Sequence, residues 1–308
     1  MRTSVIIATY NGERYIERQL DSILNQSERV EEVIIRDDCS TDTTVEKVQR
    51  FIDKYNLINW KLCKNKSNLG WRRNFSELIS EASGDVIYLC DQDDEWLPDK
   101  TKKMNKIMSE NKSIEVLVSD YDQKIINNAH GANDYLIQED SQNIEANVCA
   151  VDQNMKNYAV KRPGWTFAVR NSELISQFLK YRPLIKDKGH DAMIWQLSLA
   201  KGTLFHLHDV TGTWTMHKES AIATEKSNNI MLNKSLIKYL SDEVTMFDTM
   251  IELSDNSSFI DDLTEAKEYY LNRITVLSKH SVWIWLRKAN SYRNFKSMIG
   301  DLKRVLIG

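Results

Sequence analysis

The sequence predicts an α/β protein: a mostly parallel sheet flanked by helices, followed by a C-terminal helical appendage. Three observations carry that reading. Short β-branched runs alternate with helical segments through the first 120 residues, the pattern of parallel βαβ units. Carboxylates gather at the ends of two of those runs, where open α/β sheets place their ligands. From about residue 228 onward the apolar spacing is helical.

Ser4-Val5-Ile6-Ile7-Ala8-Thr9 is the first strand, and Tyr10-Asn11-Gly12 turns out of it. Residues 13–25 form a helix with a stripe of Tyr15, Ile16, Leu20, Ile23 and Leu24. Val33-Ile34-Ile35-Arg36 is a second strand, ending in Asp37-Asp38. The hydroxyls of Ser40 and Thr41 and the Asp42 carboxylate can cap a helix to about residue 55. Trp60-Lys61-Leu62-Cys63 is the third strand, Asn68-Leu69-Gly70 a loop, and 71–82 a helix. Asp85-Val86-Ile87-Tyr88-Leu89-Cys90 reads as a buried strand opened by Gly84. Pro98 suits the first turn of a helix over 99–110.

Val116-Leu117-Val118-Ser119-Asp120 is a fifth strand. The polar stretch 123–161 reads as an excursion folding partly over the site. Residues 164–169 return to strand, 171–180 form a short helix, and Gly189-His190-Asp191 opens a helix to Ala200. Two short strands follow at 203–207 and 213–217. Leu236, Ile237, Leu240, Val244, Phe247 and Ile251 keep helical spacing; Phe259, Leu263, Ala266, Tyr270, Ile274 and Leu277 do the same. A third segment covers 282–306. This divides the chain into a domain over 1–225 and a helical region over 226–308.

Hydrophobic content of 42% and charged content of 28% in 308 residues describe an ordinary globular chain with a sizeable core. A net charge of -3 argues against nucleic acid as partner. Cys39, Cys63, Cys90 and Cys149 form no CxxC pair and read as reduced thiols of a cytoplasmic protein. The N-terminus does not read as a signal peptide, and no apolar run is long enough to span a bilayer. Residues 281–308 carry Arg287, Lys288, Arg293, Lys296, Lys303 and Arg304 against Asp301, with Trp283, Trp285, Phe295, Ile299 and Leu302 as apolar anchors. Such a segment suits peripheral contact with the inner face of an anionic membrane. Packing on neighbouring helices, or on a second copy in a homo-oligomer, is the plainer alternative.

Asp91-Gln92-Asp93-Asp94 stands at the end of the 85–90 strand. Clustered carboxylates repel, and burying them unpaired is costly. A divalent cation holding a substrate phosphate removes that conflict. A solvated acidic turn is the bland alternative.

The first 220 residues resemble the family 2 glycosyltransferases, on four motifs in order. Val5-Ile6-Ile7-Ala8-Thr9-Tyr10-Asn11-Gly12 looks like the opening strand and loop. Asp37-Asp38-Cys39-Ser40-Thr41-Asp42 looks like the family's DDGSTD turn, with Cys39 in place of glycine. Asn68-Leu69-Gly70 with Arg72, Arg73 and Asn74 looks like the NxG…RN segment. Asp91-Gln92-Asp93-Asp94 looks like the DxD element, in the form carried by a branch containing rhamnosyltransferases. The helical C-terminus lies outside the resemblance.

The resemblance implies a GT-A fold and an inverting, metal-dependent transfer from a UDP- or dTDP-sugar. The acceptor would be a hydroxyl of a cell-surface polysaccharide or lipid-linked glycan, with rhamnose the first choice of sugar. A glycosylated protein acceptor stays open, as does a non-catalytic carbohydrate-binding subunit. A nucleotidyltransferase is disfavoured, because Tyr10-Asn11-Gly12-Glu13 stands where a Gly-rich phosphate loop would be. Thr9, Tyr10, Asn11, Asp38, Arg73 and Asp91 would bind the nucleotide sugar, with Asp38 accepting from a uracil or thymine N–H. Arg73 is preferred to Arg72. Asp93, with His217, would hold Mg2+ or Mn2+; Asp94 could ligate too or cap the next helix. Asp191 would be the base, with Asp187 second, and Trp165 would stack on the acceptor.

Overall fold

The computed structural model describes residues 1–126, 136–145, 147–217 and 233–307. Its parallel half is built from β1 (Thr3–Thr9), β2 (Glu32–Asp37), β3 (Trp60–Lys64) and β4 (Val86–Cys90), ordered β3-β2-β1-β4. The crossover helices are α1 (Ile16–Leu24), α2 (Thr44–Lys54) and α3 (Trp71–Glu81). Successive strand side chains point to opposite faces. Ile6, Ile34, Ile87 and Leu89 accordingly join one core layer with Phe75 and Leu78 of α3, while Val5, Ile7, Val33 and Ile35 join the other with Leu20 of α1 and Val48 of α2. Both faces are covered, as a parallel sheet requires.

Beyond β4 the sheet becomes mixed. It continues through β9 (Phe167–Arg170), β6 (Val116–Ile125), β10 (Leu204–Met216), β8 (Val148–Val151) and β7 (Glu139–Glu145). β9 runs antiparallel to both β4 and β6, and β10 runs parallel to β6. A two-residue strand, β5 (Glu95–Trp96), pairs with β10 ahead of α4 (Lys100–Glu110). Two expected strands, 203–207 and 213–217, prove to be the single strand β10. It crosses polar Asp209 by register shifts between Leu207 and Val210 and between Val210 and Thr213, an irregularity that a sheet tolerates locally. The excursion at 123–161 contributes β7, β8 and the short α5 (Met155–Tyr158).

α6 (Glu173–Tyr181) and α7 (His190–Ala200) cover the face that α3 covers. Met246, Phe247 and Met250 of α8 (Asn233–Leu253), and Phe259, Leu263 and Ala266 of α9 (Ser257–Lys279), extend that same core layer. The expected boundary at residue 225 lies outside the described residues. The segment expected at 282–306 is broken into α10 (Val282–Lys288), a 3-10 turn Ala289–Ser291 and α11 (Phe295–Ile307). Asn and Ser side chains offer the backbone local alternatives to a helix. Here Ser291 Oγ donates to Lys288 O at 2.7 Å.

Candidate active site

The site forms where β1, β2 and β4 end side by side. The register pairs Thr9 with Asp37 and Ile7 with Cys90, so Tyr10, Asp38 and Asp91 leave neighbouring strands together. The Gln92 side chain joins two of the loops. Its Oε1 accepts from Tyr10 N at 2.9 Å and its Nε2 donates to Tyr10 O at 3.0 Å. A Cβ on Gly12 would stand 2.2 Å from Gln92 Oε1, so the approach requires glycine there. The Tyr10 ring is half exposed and open to a ligand. Thr9 and Asn11 are committed to the frame: Thr9 Oγ1 donates to Asp37 Oδ2 at 3.1 Å, and Asn11 Oδ1 accepts from Thr41 N at 2.9 Å.

Asp38 is buried and holds the next loop. It accepts from Asn65 Nδ2 at 2.8 Å, Leu69 N at 2.7 Å and Gly70 N at 2.8 Å. Those bonds take three of the carboxylate's roughly four acceptor positions. Cys39 adopts φ +67°, the left-handed conformation that glycine enters freely, and its Sγ donates to Asn65 O at 3.2 Å. The cysteine thus keeps the turn at a conformational cost of about 1–2 kcal/mol.

Asp91, Asp93, Asp94 and Asp191 converge. Burial first, then the charges of Asp93 and Asp191, push the Asp91 carboxyl up to about 8. Asp93 Oδ2 lies 2.8 Å from His217 Nε2, and the buried imidazole stacks on Tyr15 with ring centroids 4.4 Å apart. Arg18 Nη2 donates to Asp93 O at 2.8 Å and to Thr215 Oγ1 at 2.7 Å, fixing the two segments together. Tyr15 and Arg18 were legible in the sequence only as helix positions. Asp94 is fully buried and does not cap α4. Its Oδ1 accepts from Thr215 N at 2.9 Å, its Oδ2 has no partner, and burial with the charges of Asp93 and Asp91 raises its carboxyl well above the usual range.

Asp191 sits in the first turn of α7, whose N-cap is Gly189. Its Oδ1 accepts from Ala192 N at 2.8 Å, and a Cβ on Gly189 would stand 2.4 Å from that oxygen. Glycine therefore lets the carboxylate fold back over the helix end. Burial raises the Asp191 carboxyl, while Arg72 and Lys161 pull it down. His190 stacks on Phe75 at 3.8 Å. Burial, with the charges of Arg182 and Arg72, pushes its imidazole down to about 3. It stays neutral and serves as an aromatic spacer. Asp187 is half exposed and paired with Lys238 Nζ at 2.7 Å.

Two expectations need correction. Arg73 points to solvent, its side chain 69% exposed and paired with Glu77 at 3.6 Å. Its neighbour Arg72 stacks over the Trp71 ring at 4.1 Å and acts by charge on Asp191 and His190. Adjacent residues on a helix point about 100° apart, and here the two side chains diverge. Trp165 does not face a groove. The chain takes a 3-10 turn over Gly164–Thr166 before β9 begins, and the indole is wholly buried beside Tyr121 and Lys100. The large ring is worth more as core than as an open platform.

The arginine pair gives a direct test. Arg73→Ala is expected to leave kcat/KM within about twofold, as surface changes usually stay within ±0.5 kcal/mol. Arg72→Ala is expected to lower kcat/KM about 10- to 100-fold, the size of a lost charge-assisted contact of about 1.5–3 kcal/mol. Steady-state kinetics on both variants decide it, and equal effects would return the choice to Arg73.

This architecture, with acidic and loop residues at the C-terminal ends of a half-parallel sheet, defines a GT-A fold. Staphylococcus aureus TarS 1–349 in complex with UDP-GlcNAc aligns with a TM-score of 0.63 at 19% identity, over 99% of this chain and 80% of that one. The mannosyltransferase PcManGT of Pyrobaculum calidifontis, in complex with GDP-Man and Mn2+, aligns with a TM-score of 0.53 at 15% identity, over 99% and 80%. Residues 4–175 match the model of Glycosyl transferase family 2, and the chain belongs to that family.

Relatives match over about a third of the chain. S. aureus poly(ribitol-phosphate) beta-N-acetylglucosaminyltransferase TarS is 38% identical over 96 residues, 30% of this chain and 16% of TarS. The dTDP-rhamnosyl transferase RfbG of Shigella flexneri is 41% identical over 100 residues, 31% of this chain and 34% of RfbG. The putative teichuronic acid biosynthesis glycosyltransferase TuaG of Bacillus subtilis is 36% identical over 107 residues, 35% of this chain and 42% of TuaG. The matches thus span less than half of each relative.

Proposed function

We propose that the chain is an inverting glycosyltransferase that moves a sugar from UDP or dTDP to a hydroxyl of a glycan. The observation that carries this reading is the convergence of Asp91, Asp93, His217 and Asp191 at the strand ends. The donor set fits a hard divalent cation. Three carboxylates crowd together, burial and the charges of Asp93 and Asp191 push the Asp91 carboxyl up, and Asp94 Oδ2 is buried without a partner. Asp93 and His217 would hold Mg2+ or Mn2+, which usually takes one or two protein carboxylates plus substrate phosphates. When bound, the ion stabilises negative charge on the departing nucleoside diphosphate.

The chain's own residues divide the remaining work. Tyr10 covers the base or ribose, and Asp38 offers its remaining acceptor position to an imide N–H. Asp91 meets the ribose, and Arg72 takes the place expected of Arg73 near the diphosphate. Asp191 removes the acceptor proton from the face opposite the leaving group, and that geometry inverts the anomeric centre. Resemblance to RfbG favours a dTDP-rhamnose donor, and resemblance to TuaG favours a cell-surface polysaccharide as acceptor.

A panel of nucleotides with Mn2+ in a thermal-shift assay tests the donor. UDP or dTDP and their sugars are expected to raise Tm, by the mass action of native-state binding, more than GDP or ADP. Equal shifts from all four would refute the assigned base pocket.

No helix among the described residues is long and apolar enough to cross a membrane. Trp283, Leu286 and Phe295 are nonetheless exposed on the basic C-terminal segment, while Trp285 turns inward to donate to Met298 O at 3.1 Å. We assign that surface to an anionic bilayer holding a lipid-linked acceptor. Co-sedimentation with anionic vesicles at low salt is expected, with a clear loss for Trp283→Ala/Phe295→Ala. No sedimentation of the intact chain would remove the assignment.

A further inference from the structure

A second cluster of metal-ligating side chains lies on the sheet itself, where β10, β8 and β7 run side by side. Alternation along β10 places His206 and His208 two residues apart on one face. The register sets Cys149 of β8 directly opposite His206, and Glu139 of β7 opposite Val151, two residues further along β8. Cys149, Glu139 and His208 thereby bring one ligand atom each to within 4.8 Å of one another. None of the three takes part in the transfer reaction proposed above.

The three ligand atoms stand close enough together to converge on one ion. His208 Nε2 lies 3.7 Å from Cys149 Sγ and 3.0 Å from Glu139 Oε2. Ligand atoms around a tetrahedral zinc ion, at its usual bond lengths, stand about 3.3–3.6 Å apart. The surrounding groups are those that orient such ligands. Glu139 Oε1 is held by His206 Nδ1, and the other His206 nitrogen, Nε2, lies 2.9 Å from Asp120 Oδ1. His208 Nδ1 faces Asp120 Oδ2 at 3.9 Å, the carboxylate-behind-imidazole arrangement common at zinc sites. Arg162 Nη2 donates to Asp120 Oδ1 at 3.0 Å and holds that carboxylate behind the two imidazoles, where Asp120, His206 and His208 form a second such group. Cys149 and His206 are buried, whereas the His208 side chain is 45% exposed and gives an ion an entry path.

We propose that Cys149, His208 and Glu139 bind a thiolate-seeking divalent transition metal of the zinc class, with His206 and Asp120 orienting the ligands. A sulfur ligand separates this site from a phosphate-linked Mg2+ or Mn2+ site, since hard cations take oxygen. The ion ties the β7–β8 pair to β10, the strand that carries Thr215 and ends beside His217. The site therefore pins the sheet edge behind the catalytic pocket. Binding displaces the thiol proton of Cys149 to solvent, since thiolate is the ligand form.

The experiment uses the full chain, stripped with chelator and titrated with Co2+ in excess Mg2+. One equivalent of Co2+ is expected to develop a thiolate-to-cobalt charge-transfer band that one equivalent of Zn2+ abolishes. Cys149→Ser is expected to lose the band. His208→Asn, at a half-exposed position that tolerates change, is expected to weaken Zn2+ binding at least about tenfold, since even groups behind the ligands typically count for about 10- to 100-fold. Asp93→Asn is expected to keep the band unchanged. No band in the intact chain, a band that survives Cys149→Ser, wild-type Zn2+ affinity in His208→Asn, or loss of the band in Asp93→Asn would each overturn the proposal. If Cys149→Ser does not fold, His208→Asn and Asp93→Asn decide it alone.

Discussion

Asp191→Asn is expected to lower turnover about 10²- to 10⁴-fold, the usual worth of a general base, while leaving UDP or dTDP affinity near normal. The competing explanation is that Asp191 only satisfies free N–H groups of the helix start, and this substitution separates the two. The N-cap of α7 is Gly189, not Asp191, and asparagine can still accept from Ala192 N through its side-chain oxygen. Loss of the negative charge near a helix N-terminus should cost about 0.3–1 kcal/mol, a minor change in Tm. The pH dependence carries a second signature. Burial holds the Asp191 carboxyl above its ordinary range, so the base becomes ionised only as pH rises through that raised value. Wild-type kcat should therefore climb with pH along an acid limb displaced upward from that of a free carboxylate, and the variant should lack that limb. Asp187→Asn is the control: paired with Lys238 at the surface, it should leave the rate near wild type. Near-normal turnover in Asp191→Asn would move the base elsewhere, and to Asp187 if its control variant proved to be the slow one.

For Asp93→Asn, transfer and stability are expected to move in opposite directions. The carboxylate is one of the two donors in contact at the proposed metal site, so Mn2+ affinity should fall at least about 10- to 100-fold, and metal-dependent turnover with it. In the absence of metal the same substitution removes a like charge that raises the carboxyls of both Asp91 and Asp94. The metal-free variant should melt at or above the wild-type temperature, and Mn2+ should no longer shift it. Turnover against Mn2+ concentration and Tm with and without Mn2+ or EDTA check the two halves. A wild-type Mn2+ response in the variant, or full wild-type activity in EDTA, would end the assignment of Asp93.

Much of the site was legible because it rests on local signals. Val5-Ile6-Ile7, Val33-Ile34-Ile35 and Val86-Ile87-Tyr88-Leu89 are short apolar runs set between amphipathic helices, and they became β1, β2 and β4 with ends that moved by a residue or two. Fixing those ends also fixed where Tyr10, Asp38 and Asp91 leave the sheet. Gly189-His190-Asp191 opened a helix as expected, since helix starts depend on a few consecutive residues.

The sequence by itself determined the order of strands and helices, the family motifs and which acidic residues stand at strand ends. Periodicity and turn chemistry are properties of neighbouring residues, so they survive without the fold. The tertiary structure alone decided which side chains meet. His217 reaches Asp93 from 124 positions away, and Gln92 reaches back 82 positions to clasp Tyr10. Arg72 rather than Arg73 faces Asp191, and the Trp165 indole lies inside the core. Cys149, Glu139 and His208 meet through the pairing of three strands. Each of these depends on helix rotation or strand register, and a shift of one residue in either turns a side chain to another face. Composition carries no record of that choice, which is settled by how the buried layers on both sides of the sheet pack.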